Sequence, residues 1–109
     1  MSLSLHQQAL TAFLTKLQKD YSPLLERIIL FGSYSKGEAL PESDIDVLII
    51  ITTEDFRLRR AIISLSAEIF LQYAVDISPK VLSLHDFELA QKRNNLFIQH
   101  ILSEGEIIV

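Results

Sequence analysis

Two aspartates, Asp44 and Asp46, stand one residue apart immediately before the apolar run of residues 47–51. Because alternate side chains of a strand project from one face, the two carboxylates point the same way if a strand begins here. Carboxylates this close repel, and one takes up a proton unless a cation lies between them. The pair is therefore a candidate site for divalent metal ions. The alternative is a turn at Ser43-Asp44 followed by a solvated or hydrogen-bonded Asp46.

A small-residue turn, Gly32-Ser33, follows the apolar residues 28–31 and precedes Asp44 by about ten residues. A glycine-opened turn can hold phosphates on backbone N–H groups, and the Ser33 hydroxyl is placed to help. The alternative is a tight turn whose serine caps a helix. The segment lacks both the Gly-Lys-Ser/Thr of a P-loop and the dinucleotide glycine pattern. A phosphate-binding turn beside a metal-binding pair suggests chemistry on a nucleoside triphosphate.

A third carboxylate, Asp76, lies in a short strand-like stretch in which Val75 and Ile77 point the opposite way. If this strand pairs beside the strand of Asp46, Asp76 completes a three-carboxylate metal site. Such a site, holding two metals, supports in-line displacement at phosphorus. Otherwise Asp76 is a solvent-facing strand residue.

The elements around these residues alternate between helical and strand periodicity. The pattern predicts helices over residues 3–20, from a cap at Thr52 to about Tyr73, from Ser83 to about Arg93, and from about 96 to Gly105. It predicts strands over residues 26–31, 45–52 and 75–78 (ended by Pro79) and an edge strand in the tail 106–109, with a loop over 34–42 that opens with a helical turn. The fold class is α/β (α+β): a small mixed sheet of three to four strands flanked by helices.

The helix that ends at Tyr73 has a wide apolar surface. One stripe consists of Leu58, Ile62, Leu65 and Ile69. Further apolar residues widen it: Ala61, Ile63, Ala67 and Phe70. We therefore expect this helix to be buried on two sides.

The length indicates a single domain over residues 1–109. The chain has no cysteine, so this domain has no disulfides. The net charge of -4 and the absence of a basic stripe argue against direct nucleic-acid binding. No signal peptide and no span of membrane length is found, so we expect a cytoplasmic protein. The apolar fraction is 49%, which indicates either a Leu/Ile-rich core or a surface covered by a partner.

Residues 30–39 and 41–49 together resemble the signature of the minimal nucleotidyltransferases of bacteria and archaea. That family belongs to the nucleotidyltransferase superfamily that includes DNA polymerase β. The resemblance implies a polymerase β-like fold in which Asp44 and Asp46 bind two Mg²⁺ ions that carry the triphosphate of ATP. It also implies that Asp76 binds the catalytic metal and acts as general base.

In the same resemblance, Gly32 and Ser33 hold the phosphates, and Lys36 meets a phosphate as a point charge. An acceptor hydroxyl attacks the α-phosphorus, takes the nucleoside monophosphate and releases pyrophosphate. The sequence departs from many relatives at Tyr34 and Lys36, where arginine is common.

Larger relatives carry a second domain for the acceptor, for which this chain has no room. The resemblance implies an antitoxin that transfers AMP to a tyrosine of a helical HEPN-domain partner. Two alternatives are a nucleotide-binding half of a two-chain, aminoglycoside-type transferase and a non-catalytic module that neutralises its partner by binding. Exposed apolar residues also suggest a homodimer through the last helix or the tail 106–109.

Overall fold

A four-stranded mixed sheet lies between two layers of helices in the computed structural model, which describes residues 4–38, 40 and 42–109. The helices are α1 (Leu5–Tyr21), α2 (Gly32–Ser35), α3 (Phe56–Tyr73), α4 (Leu84–Lys92) and α5 (Leu96–Glu104), with a 3₁₀ turn at Ser22–Leu24. The strands are β1 (Leu25–Phe31), β2 (Ile45–Ile51), β3 (Ile77–Ser83) and β4 (Glu106–Ile107). The predicted fold class is confirmed. Among the described residues, no helix is long and apolar enough to cross a membrane.

The strand order is β3-β2-β1-β4, with β2 parallel to β3 and β1 antiparallel to both β2 and β4. Strand β2 is central and is buried on both faces, as its unbroken apolar run predicts. On one face Val47 and Ile49 pack with the apolar stripes of α1 and α3. On the other face Leu48 and Ile50 pack with α4 and α5. Each of these buried side chains contributes roughly 1.5–3 kcal/mol, so the strand that carries Asp46 is firmly held.

Helix α3 begins three residues later than predicted. Asp55 is its N-cap and accepts a hydrogen bond from the Leu58 N–H at 3.1 Å. Thr52 does not cap the helix, because it lies four residues before the first helical residue, Phe56. Its own N–H donates to the Leu24 carbonyl at 3.0 Å. The Thr-x-x-Asp pattern therefore gave the correct helix and the wrong cap.

Strand β3 runs through Pro79, so the prediction that this proline ends the strand was wrong. The strand begins at Ile77, and Pro79 lies opposite Val47 of β2. Within the described residues, β3 is an edge strand whose one neighbour in the sheet is β2. The missing N–H of a proline is therefore tolerated on the open side of β3. Asp76 consequently lies directly before the strand rather than within it.

The prediction that α3 is buried on two sides was also wrong within this chain. Leu58, Ile62, Leu65 and Ile69 are buried as expected. Ile63 and Phe70 of the second group are 59% and 46% exposed. The sheet and α1 cover one side of α3 and leave the other side bare.

Replacing Ala74 with glycine is expected to stabilise the protein by about 0.5–1 kcal/mol. Ala74 ends α3 in the left-handed region, with φ 56° and ψ 31°, where a Cβ is strained and glycine is preferred. Urea denaturation measures the effect. As a matched control, Gln72→Gly on the exposed surface of the same helix should destabilise by about 1 kcal/mol. If both variants changed the free energy of unfolding in the same direction, the assignment of strain to Ala74 would be contradicted.

Candidate active site

Three chain segments meet at the side of the sheet where β1 ends and where β2 and β3 begin, hereafter the edge of the sheet. Strand β1 ends where β2 begins, since Phe31 lies opposite Asp46 in the antiparallel pair. Strands β2 and β3 begin side by side, since Ile45 lies opposite Ile77. This topology brings the turn after β1 and the residues that open β2 and β3 to the same edge, although they are distant in sequence.

Asp46 is half-buried at this edge, and Asp44 next to it is exposed. Burial raises the pKa of the Asp46 carboxyl above its ordinary value, and the neighbouring Asp44 carboxylate raises this pKa further. Lys80 on β3 acts in the opposite direction and lowers the pKa. Two mutually repelling carboxylates, one of them partly desolvated, form a donor set that suits a divalent cation.

Gly32 lies directly against the Asp46 carboxylate. A Cβ built on Gly32 would overlap Oδ2 of Asp46 and would lie 3.2 Å from its Cγ. The backbone at Gly32 also has φ +82°, a conformation that L side chains rarely adopt. Glycine is therefore required here for two independent reasons. The turn predicted to hold phosphates and the aspartate predicted to hold metal are in contact.

The expected helical turn is present as α2 (Gly32–Ser35), but it begins two residues before the loop predicted over 34–42. The Lys36 and Gly37 N–H groups donate to the Gly32 and Tyr34 carbonyls at 3.3 and 3.0 Å. The Glu38 N–H donates to the Ser33 carbonyl at 2.9 Å and closes the turn. Phosphate binding by Gly32, Ser33 and the exposed Lys36 stays a prediction.

Asp76 reaches the same edge through its backbone. Its carbonyl accepts the Ile45 N–H at 2.9 Å, which fixes it beside the start of β2, and its side chain is exposed. Over residues 4–38, 40 and 42–109, however, no group of three or more His, Cys, Asp or Glu side chains is close enough to hold a metal ion. The role of Asp76 as a third metal ligand and general base stays a prediction.

Two side chains near the edge were not identified from the sequence. The Nε2 atom of His6 lies 2.9 Å from the Ser43 carbonyl, next to Asp44, and the His6 ring stacks on Tyr34 at a centroid distance of 5.8 Å. His6 and Tyr34 line a cavity of about 420 Å³. The other side chain is Lys80, whose charge acts on Asp46. Strand alternation would have found Lys80 if β3 had been extended past Pro79, whereas no local pattern in the sequence marks His6.

With this geometry established, comparison with known proteins identifies the class. The sequence matches the nucleotidyltransferase domain over residues 10–107, and the chain belongs to that family.

Among its relatives is "Putative protein adenylyltransferase MJ0604" of Methanocaldococcus jannaschii, 35% identical over 94% of this chain and 96% of the relative. A second protein of that organism, which carries the same name with the number MJ1305, is 33% identical over 91% of this chain and 68% of its own length. The family predicted from residues 30–49 is thus confirmed.

Solved structures show the same fold. A crystal structure of a toxin-antitoxin with AMP-PNP gives a TM-score of 0.56 at 26% identity, covering 89% of this chain and 70% of that chain. The Shewanella oneidensis complex of a tri-AMPylated HEPN toxin with MNT antitoxin gives a TM-score of 0.51 at 22% identity, covering 97% and 72%. The second similarity supports the fold alone.

Proposed function

We propose that this chain is a Mg²⁺-dependent protein adenylyltransferase that moves AMP from ATP to a hydroxyl of a partner protein. The partner we propose is a HEPN-domain toxin, which makes the chain the antitoxin of the pair. The observation that carries the proposal is the contact between Gly32 and the Asp46 carboxylate, with Asp44 beside it. In a member of a nucleotidyltransferase family, this contact supports the assignment of the Gly32-Ser33 turn to phosphate binding and of Asp44 and Asp46 to metal binding.

The similar proteins support the proposed substrate and partner. The Methanocaldococcus relative carries the name "Putative protein adenylyltransferase MJ0604", which describes transfer of AMP to protein. A toxin-antitoxin of similar fold was crystallised with AMP-PNP, which is an ATP analogue. Gly32, Asp44 and Asp46, to which we assign phosphate and metal binding, lie together at the edge of the sheet, which supports the same reaction in this chain.

Different residues of this chain have different roles in the proposed reaction. The backbone and hydroxyl of Gly32-Ser33 hold the phosphates, and Lys36 adds a positive charge to them. Asp44 and Asp46 would hold Mg²⁺, which would supply the positive charge that neutralises the triphosphate and the leaving pyrophosphate. The acceptor oxygen forms a bond to the α-phosphorus as the bond between that phosphorus and the bridging oxygen breaks. The proton of the acceptor hydroxyl passes to Asp76.

The edge of the sheet that carries the aspartates is open to an acceptor on another molecule. The Asp44 and Asp76 side chains are both exposed at the edge of the sheet. A tyrosine hydroxyl on the surface of a partner protein can approach such an open edge directly. This open approach favours a protein acceptor.

The test is transfer of label from ATP carrying radioactive α-phosphorus to the candidate partner, with Mg²⁺ and with a chelator. Label on a partner tyrosine, lost with the chelator and with the Asp44→Asn/Asp46→Asn double variant, is the expected result. ATP labelled at the γ-phosphorus is the control and should transfer nothing. If the double variant still neutralises the partner, the chain acts by binding alone. Label that reaches an aminoglycoside instead of protein would establish the small-molecule alternative.

A further inference from the structure

We propose that two copies of this chain pair through the exposed face of α3, with the two helices antiparallel. The face is a stripe, hereafter the α3 stripe, formed by Phe56, Arg60, Ile63, Ala67, Phe70 and Leu71. Phe56 and Leu71 at its ends are 68% and 84% exposed, and Ile63 at its centre is 59% exposed. Large apolar side chains on both ends and in the middle of one helix face are costly to leave in water.

The α3 stripe lies opposite the core-facing side of the helix. Its members recur at three- and four-residue spacing, which places them on one face. The buried stripe begins at Leu58, two residues after Phe56, and each residue turns an α-helix by about 100°. The two stripes are therefore on nearly opposite sides, and no rearrangement of the core is needed to pair the exposed one.

The α3 stripe is complementary to a second copy of itself that is related by a two-fold axis perpendicular to the helix. With the symmetry point between Ile63 and Ser64, Phe56 faces Leu71 of the second copy and Arg60 faces Ala67. The small Ala67 leaves room for Arg60, whose guanidinium already lies over the Phe56 ring, 5.0 Å from its centroid. A two-fold interface requires this reciprocity, since each residue must meet its counterpart twice.

Charges beside the α3 stripe favour the same arrangement. Arg57 and Glu68 lie about three turns apart on one flank of α3, the flank where Glu68 bonds to Lys16 of α1 at 3.2 Å. In an antiparallel two-fold pair, the same flank of each helix lies on the same side of the interface. Arg57 of each copy therefore lies near Glu68 of the other copy. Glu68 can accept from Lys16 and from Arg57 together, because both are exposed and a carboxylate has several acceptor sites.

The choice of a second copy, rather than a different protein, follows from this symmetry. An unrelated partner would not require apolar ends of similar size, or opposite charges within two residues of mirrored positions. The exposed residues of α5, Leu96 and Phe97, lack such a pairing because they lie together at the start of the helix. The α3 stripe is about 22 Å long, which is small for an interface, so we expect a reversible dimer of micromolar strength.

The test is sedimentation velocity of the isolated chain across micromolar concentrations. Wild type is expected to pass from monomer to dimer, and Ile63→Lys is expected to stay monomeric. Leu96→Lys, the same kind of change at the more exposed Leu96 of α5, is the control and should dimerise like wild type. A wild type that remains monomeric overturns the proposal. Loss of the dimer in Leu96→Lys but not in Ile63→Lys overturns it in favour of the last helix.

Charge reversal tests the antiparallel arrangement. Arg57→Glu and Glu68→Arg should each weaken the dimer about tenfold, and the two changes together in one chain should restore it. Both positions are exposed, so the monomer fold should be retained, which circular dichroism checks. Failure of the combined variant to recover, or single variants that dimerise like wild type, overturns the arrangement. None of these residues lies at the edge of the sheet, so AMP transfer tests the proposed function separately.

Discussion

Replacing Asp46 with asparagine is expected to lower nucleotidyl transfer by about 10³-fold or more. The change keeps the shape of the side chain and removes the negative charge that a divalent cation needs. Calorimetric titration of ATP with Mg²⁺ should show binding to wild type and none to the variant. Asp20→Asn, which removes an exposed carboxylate on α1, is the control and should leave both binding and transfer unchanged.

The same substitution is expected to stabilise the metal-free protein at neutral pH. Burial and Asp44 raise the pKa of Asp46 above the ordinary value of 3.8, so the folded state holds this proton more tightly than the unfolded state does. As the pH rises through the raised pKa, the wild type loses stability that it had below pH 3.8, while the neutral asparagine loses none. Urea denaturation from pH 3 to pH 8 should therefore show the advantage of the variant growing as pH rises.

Magnesium should reverse this order. An ion that binds the folded wild type stabilises it, and the variant that cannot bind the ion gains nothing. Equal stability of wild type and variant at neutral pH, with no response to Mg²⁺ in either protein, would contradict both the strained carboxylate pair and the metal site.

Replacing Gly32 with alanine is expected to destabilise the protein by about 2 kcal/mol or more and to abolish transfer. The added methyl group meets two obstacles, a positive φ and the Asp46 carboxylate. Relief of the overlap requires either the turn or the carboxylate to move, and each movement separates the phosphate-binding turn from the metal-binding pair.

Gly37→Ala is the matched control for Gly32→Ala. Gly37 also has a positive φ, +73°, but a Cβ there would meet nothing within 4 Å. Alanine at this position should cost about 1 kcal/mol of stability from backbone strain alone and leave transfer near the wild-type rate. Urea denaturation and the label-transfer assay, applied to both variants, separate strain from overlap. If the two variants lose activity equally, the contact with Asp46 is not what makes Gly32 necessary.

The sequence by itself determined the elements whose signals are local. The unbroken apolar run after Asp46 predicted the central strand, and the cap residue Ser83 predicted the start of α4. The spacing of Asp44 and Asp46 predicted two neighbouring carboxylates, and the structure shows that they interact. Hydrogen bonds between residues a few positions apart and the two-residue repeat of a strand decide these features, so they can be read from a short segment.

The tertiary structure decided what depends on neighbours distant in sequence. Pro79 is tolerated because β3 lies at the edge of the sheet, and strand order is not a property of residues 75–83. Gly32 is necessary because of Asp46, His6 reaches the site through Ser43, and neither contact has a local signal. The apolar residues of α3 were all visible in the sequence. Which of them are buried depended on where the sheet and α1 pack. The helical repeat in the sequence places apolar residues on two faces of α3, and the tertiary structure buries one of these faces.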